Sequence, residues 1–266
     1  MLPPITKTQK EIIEKLIYRY RFLTRTHIQH LLFHKHPAKI NIWLKDLTEK
    51  KYLTRIYSKK IGENIKPAIY NIDTNGIRLM KQIKTDNNLY IQNLYYEKKR
   101  TQLFQLHCLA FADFSCNLFS YANEQNKQAI LLTKADFPSD DSTDEYDIFH
   151  TLKPDGFYTY SGTGIAKACF IEVVDDITPA FALRKKIHKY IQASQELSWE
   201  TLSPDKFPSV IFLLQTEKKM ESLKRAIKRV RNEIDDKEVT QSLRCNLALV
   251  SDVQSHSIAS GIWKQA

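Results

Sequence analysis

The chain has 266 residues, 42% hydrophobic and 26% charged, enough apolar material for two ordinary domains and too much for wholesale disorder. No run approaches the roughly 20 apolar residues that cross a bilayer, and the start, MLPPITKTQK, lacks a signal peptide's apolar stretch. The expectation is a cytoplasmic protein, neither membrane-bound nor secreted. Its 40 Lys/Arg against 30 Asp/Glu are unevenly placed: residues 1–100 hold 21 against 8, and residues 101–266 hold 19 against 22. A basic first part on a near-neutral second part points to a polyanion-binding module attached to something else.

In chain order, residues 7–22 place Ile12, Ile13, Leu16, Ile17 and Tyr20 at helical spacing, with Thr8 as the expected cap and Glu11 as its capping-box partner. Thr24 opens a shorter helix with an Ile28, Leu31, Leu32 stripe. Pro37 suits the first turn of a third helix whose Ile40, Trp43, Leu44 and Leu47 face inward, leaving Lys39, Asn41 and Lys45 outward. Leu53, Ile56 and Tyr57 then precede a polar loop, and Ala68, Tyr70 and Ile72 read as a returning strand. Asn75-Gly76 is expected to end this hairpin, with a fourth helix over Ile77–Ile83.

Three short helices and a hairpin resemble the winged helix-turn-helix, whose third helix enters the major groove of double-stranded DNA while the hairpin tip lies along the backbone. The expected contacts are Arg25, Lys35, Lys39, Asn41 and Lys45 on the helices, and Lys59, Lys60 and Lys66 at the tip, where a solvated turn needs no cations but a phosphate-contacting wing does. The winged helix is assigned to residues 1–84. His27, His30 and His34 fall at i, i+3 and i+7, with His36 nearby, but no Cys or acid completes a zinc set.

Residues 84–92 are polar and read as a joint, so the second domain is assigned to 93–266. A long helical pattern runs from Leu94 to Tyr121, followed by a buried strand at Ala129–Thr133, an acidic loop over 136–147, and strands at Gly156–Tyr160 and Ala168–Val174 joined by a tight Ser161-Gly162-Thr163-Gly164 turn. A helix from about Pro179 to Glu196, a strand over 208–214, a charged helix from Glu217 to Glu233 and a strand at Asn246–Ser251 complete the pattern. Cys108, Cys116, Cys169 and Cys245 lie far apart in apolar contexts, as buried reduced thiols do, and form neither a zinc ribbon nor a disulfide framework.

This order resembles the core of the PD-(D/E)xK nuclease fold, an α/β (α+β) arrangement around a mixed sheet whose second and third strands carry the acids. Here Pro154-Asp155 heads one strand and Glu172 sits in the next, within Phe170-Ile171-Glu172-Val173-Val174-Asp175. Two carboxylates on adjacent strands can hold Mg²⁺ or Mn²⁺, and a lone acid between Ile171 and Val173 needs a partner or an ion. The plainer reading has Asp155 capping a turn and Glu172 facing solvent. Val174 stands where that fold's motif expects Lys, so the cation would have to come from elsewhere. The following helix offers Arg184, Lys185, Lys186 and Lys189, of which Lys186 and Lys189 with Tyr190 lie on neighbouring turns toward the hairpin, against the plainer reading of a solvated basic face that touches phosphate without catalysis.

The chain resembles the replication-relaxation proteins of plasmids and integrative elements. The likeness rests on Ile40, Leu44, Leu47 and Tyr52-Leu53, on Leu106-His107-Cys108-Leu109-Ala110, on Lys153-Pro154-Asp155-Gly156, and on the Glu172 run followed by Lys186 and Tyr190. It implies DNA binding in plasmid replication or conjugative DNA processing, with a metal-dependent nickase or relaxase as one reading and a catalytically inactive winged-helix regulator as the other. In the second, the nuclease-like domain serves DNA or protein contacts. The resemblance adds His107 to the catalytic candidates Asp155, Glu172 and Lys186, against the commoner case of a satisfied core histidine. No nucleophilic tyrosine can be singled out among thirteen, although Tyr158, Tyr160 and Tyr190 lie nearest the acids. A homodimer through the charged helix, and contacts with other mobilisation or replication proteins, are open partner readings.

Overall fold

The structure is a computed structural model that describes residues 2–58, 60, 65–84, 88–137, 147–195, 207–234 and 243–266. It divides into two compact units, Met1–Ala112 and Asp113–Ala266. Among the described residues, no helix is long and apolar enough to cross a membrane.

In the first unit, α1 runs through Lys7–Glu11, a π-helical Ile12–Ile17 and Tyr18–Tyr20. Its cap is Thr6 rather than Thr8. Gln9, three residues on, accepts from the Thr6 N–H at 2.9 Å, and the Gln9 N–H donates to Thr6 Oγ1 at 3.3 Å, so the capping box closes two residues early. Strand β1 is only Leu23–Thr24, and Thr24 also caps α2 (Arg25–Leu31), with His27 as the box partner. Helix α3 spans Pro37–Glu49 with Pro at its start, and it buries Ile40, Leu44 and Leu47.

Strands β2 (Leu53–Ile56) and β3 (Ile69–Ile72) pair antiparallel from Leu53↔Ile72 to Ile56↔Ile69, and β1 joins the other edge of β3. The hairpin does not end on Asn75-Gly76, because both lie inside α4 (Thr74–Ile83). The Asp73 carboxylate caps that helix by accepting the Thr74 N–H at 2.6 Å. Gly76 serves close packing: a Cβ there would lie 2.5 Å from the Tyr52 carbonyl oxygen.

After α4, a short α5 (Asn88–Asn93) and a 3₁₀ turn (Leu94–Lys99) pack on the same unit through buried Ile91 and Leu94. Arg21, at φ 69°, ion-pairs with the buried Glu97, and its guanidinium lies 4.7 Å from the Phe104 ring centroid. These contacts tie residues 88–100 to the first unit. The division between units falls within the long α6 (Gln102–Glu124), beyond the polar 84–92 segment.

The second unit is built on a mixed six-stranded sheet in the order β4-β5-β6-β7-β8-β9. Strands β4 (Ala129–Thr133), β5 (Gly156–Tyr160) and β6 (Ala168–Val174) form an antiparallel meander. Strands β7 (Ser209–Leu214) and β8 (Cys245–Leu249) continue parallel to β6, and β9 (Lys264–Gln265) closes the edge antiparallel. The β5–β6 connection is longer than the expected tight turn, because the ladder closes at Tyr160 and Lys167, whose N–H···O bond is 2.7 Å. Strand β8, expected to reach Ser251, stops at Leu249, where Val250 opens a short helix, α10 (Val250–Ser255).

A small α7 (Asp147–Leu152) precedes β5. Helices α8 (Ala180–Gln195) and α9 (Glu217–Glu233) are the β6–β7 and β7–β8 crossovers. They cover one sheet face, where Phe170, Phe212, Leu214, Leu183, Ile187, Leu223 and Ile227 form one buried cluster. On the opposite face Phe114 meets Tyr158 and Trp263, with ring centroids 5.9 and 6.4 Å apart. The four cysteines are buried thiols outside any disulfide, as expected, and burial pushes the Cys116, Cys169 and Cys245 thiols up to about 12.

Candidate functional site

The side chains of β6 alternate between the two faces, so Glu172 shares the α8 side with Phe170 and Val174. Only 7% of Glu172 is exposed, which rules out the solvent-facing edge position. Asp155 stands just before β5, where its N–H donates to the Ile171 carbonyl at 3.0 Å. Its Oδ2 accepts the Val173 N–H at 2.8 Å, and its Oδ1 is ion-paired with Lys134, which follows β4. The three antiparallel strands thereby gather two acids and a lysine at one end of the meander.

Helix α8 supplies the other partners. Lys186 Nζ lies 2.8 Å from Glu172 Oε1 and also donates to the Leu152 and Lys153 carbonyls at 2.8 and 3.1 Å. The buried Tyr190 hydroxyl donates to the same Oε1. Glu172 Oε2 has no hydrogen bond among the described residues. Burial pushes the Glu172 carboxyl up to about 7, the Asp155 charge adds to the rise, and Lys186 and Tyr190 oppose it. Burial and the adjacent Glu172 carboxylate likewise hold the Tyr190 hydroxyl well above its ordinary value.

Of the sequence candidates, the structure brings Asp155, Glu172 and Lys186 together. Lys189 turns instead to the Thr151 carbonyl at 3.1 Å, and Val174 is buried in the core. His107 lies in the first unit, on the N-terminal half of α6, with its ring stacked on Phe104 at 6.2 Å. Sequence reading missed Lys134. The only available signal was a lysine directly after a strand expected to pair with the Asp155 strand.

On the first unit, Lys35, Lys39, Asn41 and Lys45 are exposed on or just before α3, and Lys45 is 3.8 Å from Glu49. Arg25 opens α2 and donates to Gln29 Oε1 at 2.8 Å. Lys60 and Lys66 are exposed on the β2–β3 connection, while Lys59 lies outside the described residues, as do residues 138–146 of the acidic loop. His27 is committed to its capping box, and His34 Nδ1 accepts from the His36 N–H at 3.1 Å. Among the described residues, no three His, Cys, Asp or Glu side chains cluster to hold a metal.

A family model described as replication-relaxation matches residues 15–206. No curated protein matches the chain. Among solved structures, the restriction endonuclease FokI is similar at 14% identity and a TM-score of 0.31, over 96% of this chain and 46% of its own. The chain therefore spans less than half the length of that protein.

Proposed function

This chain belongs to the replication-relaxation family, and from that premise we propose that it processes DNA for a plasmid or integrative element. Residues 1–84 act as a winged helix that docks α3 on double-stranded DNA through Lys35, Lys39, Asn41 and Lys45, with Arg25, Lys59, Lys60 and Lys66 on the flanking backbone. The second unit acts as a nuclease-like domain that nicks the bound DNA. The observation that carries this reading is Glu172: a carboxylate 7% exposed on a strand of a hydrophobic sheet, beside Asp155 and held by Lys186 at 2.8 Å. Burying that charge is costly, and a catalytic carboxylate is a physical reason to keep it.

The donor set suits Mg²⁺ or Mn²⁺. Two hard carboxylates come from adjacent strands, and Glu172 Oε2 carries no hydrogen bond among the described residues; Mg²⁺ is content with one or two protein carboxylates because it keeps several waters. Asp155 and Glu172 would hold the ion, which supplies Lewis acidity and an activated water at the phosphodiester. The remaining roles belong to the chain. Lys186 takes the place of the motif lysine that Val174 lacks and offers positive charge beside the phosphate, and Tyr190 fixes the Glu172 rotamer. Lys134 orients Asp155.

A second reading, the inactive regulator, is favoured by the same ion pairs, because Lys134 and Lys186 already neutralise both acids. Supercoiled plasmid bearing the element's own origin, incubated with Mg²⁺ or Mn²⁺ and then with excess EDTA, separates the two. The nuclease reading expects nicked product that Asp155→Ala and Glu172→Ala each abolish without loss of DNA binding. Absence of nicked or linear product with either ion leaves the inactive regulator.

A further inference from the structure

Charge in the second unit is segregated onto one layer. Helices α8 and α9 carry eleven Lys/Arg against three Asp/Glu in 33 residues, whereas residues 113–266 as a whole carry 19 against 22. The layer is therefore +8 on a unit that is −3, and the remainder of the unit is −11.

Several of these cations are engaged within the fold. Lys186 and Lys189 serve the Glu172 site and the Thr151 carbonyl, Lys219 binds the Asp176 carbonyl at 2.9 Å, and Arg231 binds the Ala266 carbonyl at 2.6 Å. Lys224 and Arg229 pair with Glu221 and Glu233 at 2.8 and 3.0 Å. Lys185, Lys218, Arg225 and Lys228 remain exposed, with no carboxylate in ion-pair range among the described residues, although Arg225 Nε donates to the Glu221 carbonyl at 3.3 Å within its own helix.

On α9, Lys218, Arg225 and Lys228 fall at i, i+7 and i+10, opposite the buried Met220, Leu223, Ile227 and Val230 stripe. At 1.5 Å per residue they line about 15 Å of helix, a length over which duplex DNA presents roughly nine phosphates. No large hydrophobic or aromatic side chain of α9 is exposed among them. A single strand would ask for stacking platforms; a duplex backbone asks only for cations.

We infer that the outward face of α9 is a second double-stranded DNA surface, which grips the phosphate backbone without reading sequence. The inference rests on the DNA-processing reading above and adds where, on the second unit, the duplex is held. A face of this kind supplies affinity and positioning, while base recognition stays with other elements.

The test is fluorescence anisotropy of the full chain on a labelled duplex from the element's origin, titrated with NaCl. The wild type is compared with Lys218→Ala/Arg225→Ala/Lys228→Ala, with the charge-preserving Arg225→Lys/Lys228→Arg, and with Lys39→Ala/Lys45→Ala. Each phosphate contact contributes about 0.9 to the slope of log K against log salt, so the triple variant should lower that slope by about 2.7. The charge-preserving variant should keep the wild-type slope, and circular dichroism should show the triple variant folded. An unchanged slope in the triple variant, with Lys39→Ala/Lys45→Ala weakened, overturns this surface and leaves the first-unit reading standing. Tighter wild-type binding to the matching single strand overturns the duplex assignment. Failure of the wild type to bind either DNA overturns the DNA-processing reading and this inference together.

Discussion

Replacing Glu172 by Gln removes the buried charge while keeping the side chain's size and an oxygen acceptor for Tyr190. The carboxyl titrates near 7 in the folded protein against an ordinary 4.5. The folded state thus holds its proton more tightly than the unfolded chain, so wild-type stability from this group is fully present below about pH 4.5 and is lost as pH rises towards 7. At about 1.4 kcal/mol per pH unit, the shift corresponds to about 3 kcal/mol, which Gln does not lose because it does not titrate. The Gln variant should therefore gain about 3 kcal/mol on the wild type between pH 4.5 and 8. For a urea slope of about 2 kcal/mol/M, the midpoint difference should move by about 1.5 M. Urea unfolding followed by Trp263 fluorescence in the second unit, in a Trp43→Phe/Trp199→Phe background at half-unit pH steps in EDTA, measures it. A wild-type-minus-variant difference that stays flat across this window would refute the argument, because it would mean that Glu172 titrates alike in both states.

Tyr190→Phe should cost about 1.5–3 kcal/mol in urea unfolding above pH 7, where Glu172 is ionised and loses a charge-assisted bond, and less at pH 4.5; equal costs at both pH values would contradict the assigned contact. Arg21→Ala should destabilise the first unit by up to about 3–5 kcal/mol, because Glu97, whose side chain is fully buried, loses its nearer cation and keeps only Arg100 at 3.8 Å; adding Glu97→Gln should recover part of that, and strict additivity in the double variant would count against the pair. Gly76→Ala separates local from tertiary effects: helix propensity alone forecasts a gain of about 1 kcal/mol, whereas the 2.5 Å approach to the Tyr52 carbonyl forecasts a loss of about 1–3 kcal/mol, read as a lower thermal midpoint.

Local periodicity made much of the architecture legible. The 3.6-residue spacing of Ile40, Leu44 and Leu47 and the apolar run around Glu172 each involve neighbours within a turn or a strand, so α3, β5 and β6 could be drawn from the sequence alone. The same holds for the pairing of Asp155 with Glu172: adjacent antiparallel strands joined by a short connection leave little choice of partner. The concentration of cations before residue 100 is a property of composition and needs no fold.

The tertiary structure decided what depends on residues distant along the chain. Two-residue strands such as β1 and β9 are too short for any period and exist only because β3 and β8 offer free edges. Asn75-Gly76 reads locally as a turn, yet contact with the Tyr52 backbone makes that glycine part of a helix. Among Lys185, Lys186 and Lys189, only the rotation of α8 against the sheet selects Lys186 for Glu172. The same packing brings Tyr190 to that carboxylate, and the β4–β5 register carries Lys134, 21 residues away, to Asp155. A sequence records which side chains can be charged or buried; which of them meet is fixed by long-range packing, because burial leaves each carboxylate stable only where the fold delivers a partner.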